Sequence, residues 1–392
     1  MRTAGLVTVS AAVVLAVGAC RSAPASQQPS AAQQPAAGTP YKVLVRAKVG
    51  GEGGTDYIFA DPVGRRLYIT RNAVPAAAAT DTRPARAAVL GRVSVFDLET
   101  LAPLGEIPNG GGNGAAVDPK SNHGFASSHP DISMFDVKTM QMIKTINPNA
   151  GNAPAPAPQF GSDGIYFDSF NDRVYVFSHP TKDAIVIDSH NGNVLGKIDL
   201  GGVPEQGVAD GKGLLYVVMQ DSLGSVTVVD VKTMKAIAHY PLGDIGRCNG
   251  LAIDVKNKVL FAACAASGTP RAQPSKPVMA ILSAKDGKNL ATLPLAGGSD
   301  GAVFNPATME AFSSHGNGTL TIIKEKSPTS FEVEQNLDTM NGARTLTLDT
   351  KTGHIFVMSV ERGPAPPPPP AGGRGGGPPA IPGSFTIVMV GK

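Results

Sequence analysis

Tryptophan is absent from the 392 residues and aromatic side chains amount to only 5%, so the chain carries no evident stacking platform for bases. Charge is equally thin. Thirty-four Lys and Arg against 31 Asp and Glu leave a formal +3, too little to indicate nucleic acid as a partner. There is no Gly-x-x-x-x-Gly-Lys-Ser/Thr phosphate loop, no Gly-x-Ser-x-Gly elbow, no His-Glu-x-x-His and no haem-attachment motif. Cysteine occurs three times, never at the spacing of a metal-binding pair.

What is present begins with an export signal. Arg2 precedes an apolar run from Leu6 to Val17 that ends in small residues before Cys20, a pattern too short to span a membrane. Val17-Gly18-Ala19-Cys20 resembles the lipobox of bacterial lipoproteins, which implies a signal peptide over 1–19 and acylation of Cys20. Residues 20–40 collapse to Ala, Pro, Gln and Ser, a composition that buries too little apolar surface to fold and reads as a tether. The expected address is the cell envelope: periplasm, outer membrane or cell surface, reached through a lipid anchor alone. Arg21, where an Asp would mark inner-membrane retention, favours the outer membrane or surface.

From Tyr41 to Lys392 one motif recurs: a Gly-rich stretch, a short apolar strand, a turn Asp or Asn, a second apolar strand, then alternating apolar residues. The turn residue falls at Asp61, Asp118, Asp168, Asp210, Asp254, Asn305 and Asp349, spaced 42 to 57 residues apart. Period-two alternation bounded by Gly, Asp and Asn means strands, four to a unit. A lone four-stranded sheet cannot bury both faces until neighbours stack on it, so seven such units predict an all-β, seven-bladed β-propeller. The seventh unit ends after its third strand, and Lys42-Val-Leu-Val-Arg-Ala-Lys-Val-Gly50 has the character of the missing fourth. The N-terminal strand is therefore expected to complete the last blade and remove an open edge.

Arg66-Leu-Tyr-Ile-Thr70, Arg173-Val-Tyr-Val-Phe177, Leu215-Tyr-Val-Val-Met219 and Val226-Thr-Val-Val-Asp-Val-Lys-Thr-Met234 resemble repeats of the YVTN, or YncE-like, propellers over the whole of 41–392. That resemblance implies a binding platform, and in some such propellers lactonase or redox chemistry, so fold alone does not deliver function.

Cys248 and Cys264 flank a hairpin turn around Lys256 symmetrically, which sets them opposite each other in an antiparallel pair. A cross-strand disulfide is expected, weighed against two buried free thiols. In a blade whose strands run a to d from the channel outward, insertions near 73–90, 265–277 and 361–382 interrupt b-to-c connections and 147–159 extends a d-to-a connection. All four share one face, where variable loops on a rigid scaffold usually bind. Arg83, Arg86, Arg271, Lys276, Arg362 and Arg374 lie in the b-to-c insertions and suit weak binding of an anion or polymer.

Just before each a-strand on that face stand Asp56, Asn113, Asp163, Gln206, Asn249, Asp300 and Arg344, with Glu205 and Arg247 adjoining. Their bland role is to satisfy strand ends and channel water. Their sharper role is a mouth for a polar small molecule or an oxygen-liganded cation, with Asp163 and Asp300 the metal candidates. His129, His179 and His315 occupy equivalent b-strand positions near this face, and in blades three and six the His follows a Ser-Asp-Gly motif. An Asp beside a His can orient an imidazole, although Asn72 and Gln220 in the same row suggest that any polar cap suffices.

Two readings stay open. One is an envelope binding protein, expected as a monomer, that recognises a partner protein, a polymer or a small polar ligand. The other is a hydrolase of lactonase type, using a divalent cation at the mouth to activate water; only Glu205 supplies a mouth Glu, which departs from such sites.

Overall fold

The computed structural model describes residues 39–79, 85–128, 130–150, 158–221, 224–264, 276–364 and 377–392, together with Met1. Cys20, the tether as far as residue 38, His129 and much of the four insertions (80–84, 151–157, 265–275 and 365–376) lie outside the described residues.

Each repeat folds as one four-stranded antiparallel sheet, and there are seven. Blade 1 runs Ile58–Asp61, Arg66–Arg71, Arg92–Asp97 and Pro103–Pro108 from the channel outward. Blade 2 runs from Ala115–Asp118 to Met142–Ile146, blade 3 from Ser162–Asp168 to Val194–Asp199, and blade 4 from Pro204–Ala209 to Lys235–Pro241. Blade 5 runs from Cys248–Asp254 to Asn289–Pro294 and blade 6 from Ser299–Asn305 to Ser330–Asp338.

The turn residues explain why the chain reverses where it does. Asp61 Oδ1 accepts the backbone N–H of Val63 at 2.9 Å and of Gly64 at 3.0 Å. Asp118, Asp168, Asp210, Asp254, Asn305 and Asp349 each accept the N–H two residues on in the same way. The side chain imitates a backbone turn, so the reversal is written locally in every blade.

Between the turns, the strand pattern follows from stacking. Middle strands such as Arg173–Ser178 are buried almost throughout, whereas the outer strand Lys235–Pro241 alternates exposed and half-buried. The buried apolar residues fall into seven clusters, each shared by two neighbouring blades. There is thus no single central core; the interfaces between blades hold the ring together.

The ring closes in blade 7, whose sheet order is Leu346–Leu348, Ile355–Ser359, Thr386–Gly391 and then Lys42–Lys48. Lys42 pairs with Gly391 and Lys48 with Thr386, antiparallel. Glu310 of blade 6, fully buried, fastens both ends: Tyr41 Oη donates to its Oε2 at 2.5 Å and Lys392 Nζ lies 2.8 Å from its Oε1.

The disulfide between Cys248 and Cys264 is formed, joining directly paired residues of the first two strands of blade 5. The described parts of two insertions turn back on themselves, with antiparallel bridges between Val74 and Val89, Ala77 and Arg86, and Arg362 and Ala380. Among the described residues no helix is long and apolar enough to cross a membrane.

Candidate functional site

Five polar residues of the channel mouth are placed by one backbone device. The register between first and second strands slips between Ser162 and Ile165, Pro204 and Gly207, Cys248 and Gly250, and Ser299 and Gly301. These bulges contain Asp163, Glu205 with Gln206, Asn249 and Asp300, and a bulge re-aims the side chain it carries. In blades 1, 2 and 7 the first strand starts later, and Asp56, Asn113 and Arg344 sit in the segment leading to it. Backbone bonds tie these segments together: Tyr57 N–H donates to Asn113 O at 2.8 Å and Asp300 N–H to Arg344 O at 3.3 Å.

The mouth divides into two clusters. In the first, His179 Nε2 lies 2.7 Å from Asp163 Oδ2 and 3.5 Å from Glu205 Oε1. Asn113 Nδ2 donates to Asp163 Oδ1 at 2.5 Å, Tyr57 Oη donates to Glu205 Oε2 at 2.8 Å, and Gln220 Nε2 donates to Glu205 Oε1. Arg247 in turn donates to Gln220 Oε1 at 3.3 Å. Burial by itself would push the His179 imidazole down, but Asp163 and then Glu205 more than offset it and raise it to about 10. Burial first, and then the charges of Glu205, Asp163 and Asp56, hold the Tyr57 phenol well above its ordinary value, so it stays a donor.

In the second cluster, Arg344 spans two carboxylates, Nη1 2.9 Å from Asp300 Oδ2 and Nη2 3.2 Å from Asp56 Oδ1. Asn249 Nδ2 donates to Asp300 Oδ1 at 2.7 Å. Burial raises the Asp56 carboxyl; Arg344 pulls it down, Asp163, Asp300 and Glu205 push it up, and it settles at about 7.

Gln206 belongs to neither cluster. Its Oε1 accepts the N–H groups of Leu251 at 3.0 Å and Ala302 at 3.1 Å, and its Nε2 donates to Ala302 O at 3.0 Å. It is a brace from blade 4 to blades 5 and 6, which approach so closely that a Cβ on Gly250 would lie 2.5 Å from the Gly301 carbonyl carbon. Away from the mouth the channel is a cavity of about 430 Å³ with Phe59, Phe167, Val208, Ile253 and Val303 in its wall.

Two expectations are corrected. Asp163 and Asp300 do not form a metal pair, because Arg344 and Asn249 hold Asp300. Among the described residues the His, Cys, Asp and Glu groups whose ligand atoms come together are Asp163, His179 and Glu205, all within 4.8 Å of one another. One imidazole and two carboxylates suit a divalent transition-metal ion better than they suit calcium, which takes oxygen ligands, and they suit an organic cation as well. His315, in turn, is fully buried and its Nε2 lies 2.9 Å from Thr321 Oγ1, on the outward side of blade 6. The Ser-Asp-Gly motif therefore meets its His in blade 3 but not in blade 6.

Tyr57 escaped the sequence reading. Its only signal is its place between Asp56 and the first strand of blade 1.

No protein-family model matches the chain, and no curated protein matches it. Solved structures do. A chain of hydrazine synthase from Kuenenia stuttgartiensis superposes with a TM-score of 0.60 at 14% identity, covering 77% of this chain and 91% of that one. A chain of a mitotic checkpoint complex gives 0.61 at 9% identity, covering 88% and 93%. The WD40 domain of Pan2 from Neurospora crassa gives 0.58 at 11%, covering 90% and 95%. At such identities likeness speaks for fold alone, and with the seven four-stranded sheets it identifies the chain as a seven-bladed β-propeller.

Proposed function

We propose that this propeller is a binding protein of the bacterial cell envelope, of the YVTN-repeat kind, that holds a small polar ligand or a partner's side chain at its channel mouth through the ligand's positive charge. Export and lipid attachment at Cys20 are supported by the n-region, the apolar run and the lipobox-like Val17-Gly18-Ala19-Cys20.

The observation that carries the binding reading is the convergence of Asp163 and Glu205 on one imidazole, with Asn113, Tyr57 and Gln220 holding the carboxylates in place. Carboxylates fixed before a ligand arrives lose little conformational entropy on binding it. Hydrolysis of a lactone is not carried forward, since no observation at the mouth favours it over binding.

Calorimetric titration of the metal-stripped protein with Zn²⁺, Mn²⁺, Ca²⁺, Mg²⁺ and small ammonium compounds tests this reading. At least one cation should bind with an affinity that Asp163→Asn reduces by roughly tenfold or more. Silence from all of them, or binding indifferent to Asp163→Asn, would remove the mouth as a receptor for positive charge.

A further inference from the structure

A second site on the same face carries the opposite charge. Arg71 closes the second strand of blade 1 and pairs across the ladder with Arg92, the first residue of the third. Two like charges directly opposite each other repel, and these two have little to relieve them. Arg71 is 1% exposed, with its guanidinium 3.6 Å above the Phe385 ring. Its Nη2 donates to Gly50 O at 3.1 Å, while its Nε and Nη1, both buried, meet no acceptor among the described residues. Arg92 Nε lies 2.7 Å from Glu106 Oε1, and its buried Nη1 likewise meets no acceptor. That carboxylate is more than half exposed, and Arg71 has no ion-pair partner of its own among the described residues.

A buried cation with unmet N–H donors is costly unless something charged or polar completes it. Burial pulls the Arg71 guanidinium down to about 10, Arg92 adds to the fall, and Glu106 opposes it. The two forks also share a neighbour. A Cβ built on Gly51 would stand 3.1 Å from Arg92 Nη2 and 3.5 Å from Arg71 Nη1, so that glycine packs directly against both groups and leaves no room there for a side chain.

Gly51 belongs to the 50–54 loop, in which Gly50, Gly51 and Gly53 have φ of 66°, 84° and 106°. The loop walls a cavity of about 660 Å³ between blades 1 and 7, whose rim carries Arg86 and Arg362; Arg71 and Arg92 do not line it, and Gly51 stands between them and the cavity. Arg86 has only a distant carboxylate, Glu52 at 3.9 Å, and Arg362 Nη1 donates to Pro378 O at 2.9 Å. Arg344 also reaches this cavity but is engaged by Asp56 and Asp300.

From the convergence of Arg71 and Arg92 beside Gly51, we infer that this cavity binds an acidic ligand whose oxyanion group, carboxylate or phosphate, docks between the two guanidiniums under the 50–54 loop. Arg presents a planar pair of donors that matches either group, and the Phe385 ring fixes the Arg71 plane. Entry requires the loop to shift, which glycines at positive φ permit because no Cβ restrains them. Arg86 and Arg362 on the rim then contact the remainder of the ligand. The site does not depend on the mouth, which gathers carboxylates and takes positive charge.

Thermal unfolding and calorimetry of the full chain in inorganic phosphate, sulfate, acetate and chloride at matched ionic strength test the inference. At least one oxyanion should raise the unfolding midpoint above its value in chloride and bind with a millimolar or tighter dissociation constant. Arg71→Met should abolish that binding and Arg92→Gln weaken it roughly tenfold. Phosphate and sulfate acting without acetate would identify a tetrahedral group, and acetate acting alone a carboxylate. Oxyanions no better than chloride, or binding unchanged in Arg92→Gln, would overturn the site. Arg92→Gln decides the matter even if Arg71→Met fails to fold. Asp163→Asn, which probes the mouth, should leave oxyanion binding intact, so the two sites fail separately.

Discussion

Asp163 and His179 meet at 2.7 Å at the mouth of the channel, while the corresponding pair in blade 6, Asp300 and His315, is split, the aspartate held by Arg344 and the histidine buried against Thr321. One motif copied into two blades has become a charged cluster in one and a neutral packing element in the other. The two histidines should accordingly respond to pH in opposite directions.

His315 is driven down to about 4 by burial alone. Its folded-state pKa lies below its ordinary value, so the neutral ring supports stability fully above about pH 6.5, and that support drains away as pH falls toward 4. The loss is on the order of 3 kcal/mol. Denaturant unfolding at pH 7 and pH 4.5 should show it in the wild type, and His315→Gln should flatten the difference.

Asp56 works the other way within the mouth. Held at about 7, it is protonated in the fold at pH values where the unfolded chain is ionised. Stability from this group is present below about pH 3.8 and declines as pH rises through 7. Asp56→Asn should reduce the fall in unfolding free energy between pH 5 and pH 8; an unchanged fall would mean that Arg344 compensates the carboxylate fully.

Ring closure rests on the N-terminal strand and on Glu310. Tyr41→Phe removes a donor to a buried carboxylate and should cost about 1 to 3 kcal/mol in denaturant unfolding. Removing residues 1–48 should do more, exposing the edge of Thr386–Gly391 and producing self-association visible by light scattering.

The disulfide is expected to contribute about 3 kcal/mol by restricting the unfolded chain, its cysteines being separated by 16 positions. Reduction, or Cys248→Ser with Cys264→Ser, should lower the unfolding midpoint by that equivalent without opening the ring, since blade 5 stays packed between blades 4 and 6.

Legibility in the sequence tracks how local each cause is. The seven turns could be read because each is made by one side chain on its own backbone, as Asp61 shows, and the closing strand because blade 7 lacked one. The cysteine pair was visible from its symmetry about Lys256. The mouth was legible as a row of residue types but not as clusters: the bulges that turn Asp163 and Asp300 depend on register against a second strand. Gln206 read as a ligand-facing amide and is a brace, because the carbonyl it meets at Ala302 belongs to another blade. The stacking of Arg71 on Phe385 joins the two ends of the domain, beyond the reach of any repeat pattern.

The central claim, that Asp163 and Glu205 form a prepared receptor for positive charge, is tested most directly by nitrogen NMR titration of the His179 ring. Below its ordinary value near 6.5 the imidazolium gives the mouth its full stabilisation, and above it the ring should keep its proton until pH approaches 10, losing that stabilisation there. Glu205→Gln should lower the midpoint. A midpoint at or below 6.5 in the wild type, or one that ignores Glu205→Gln, would contradict the account.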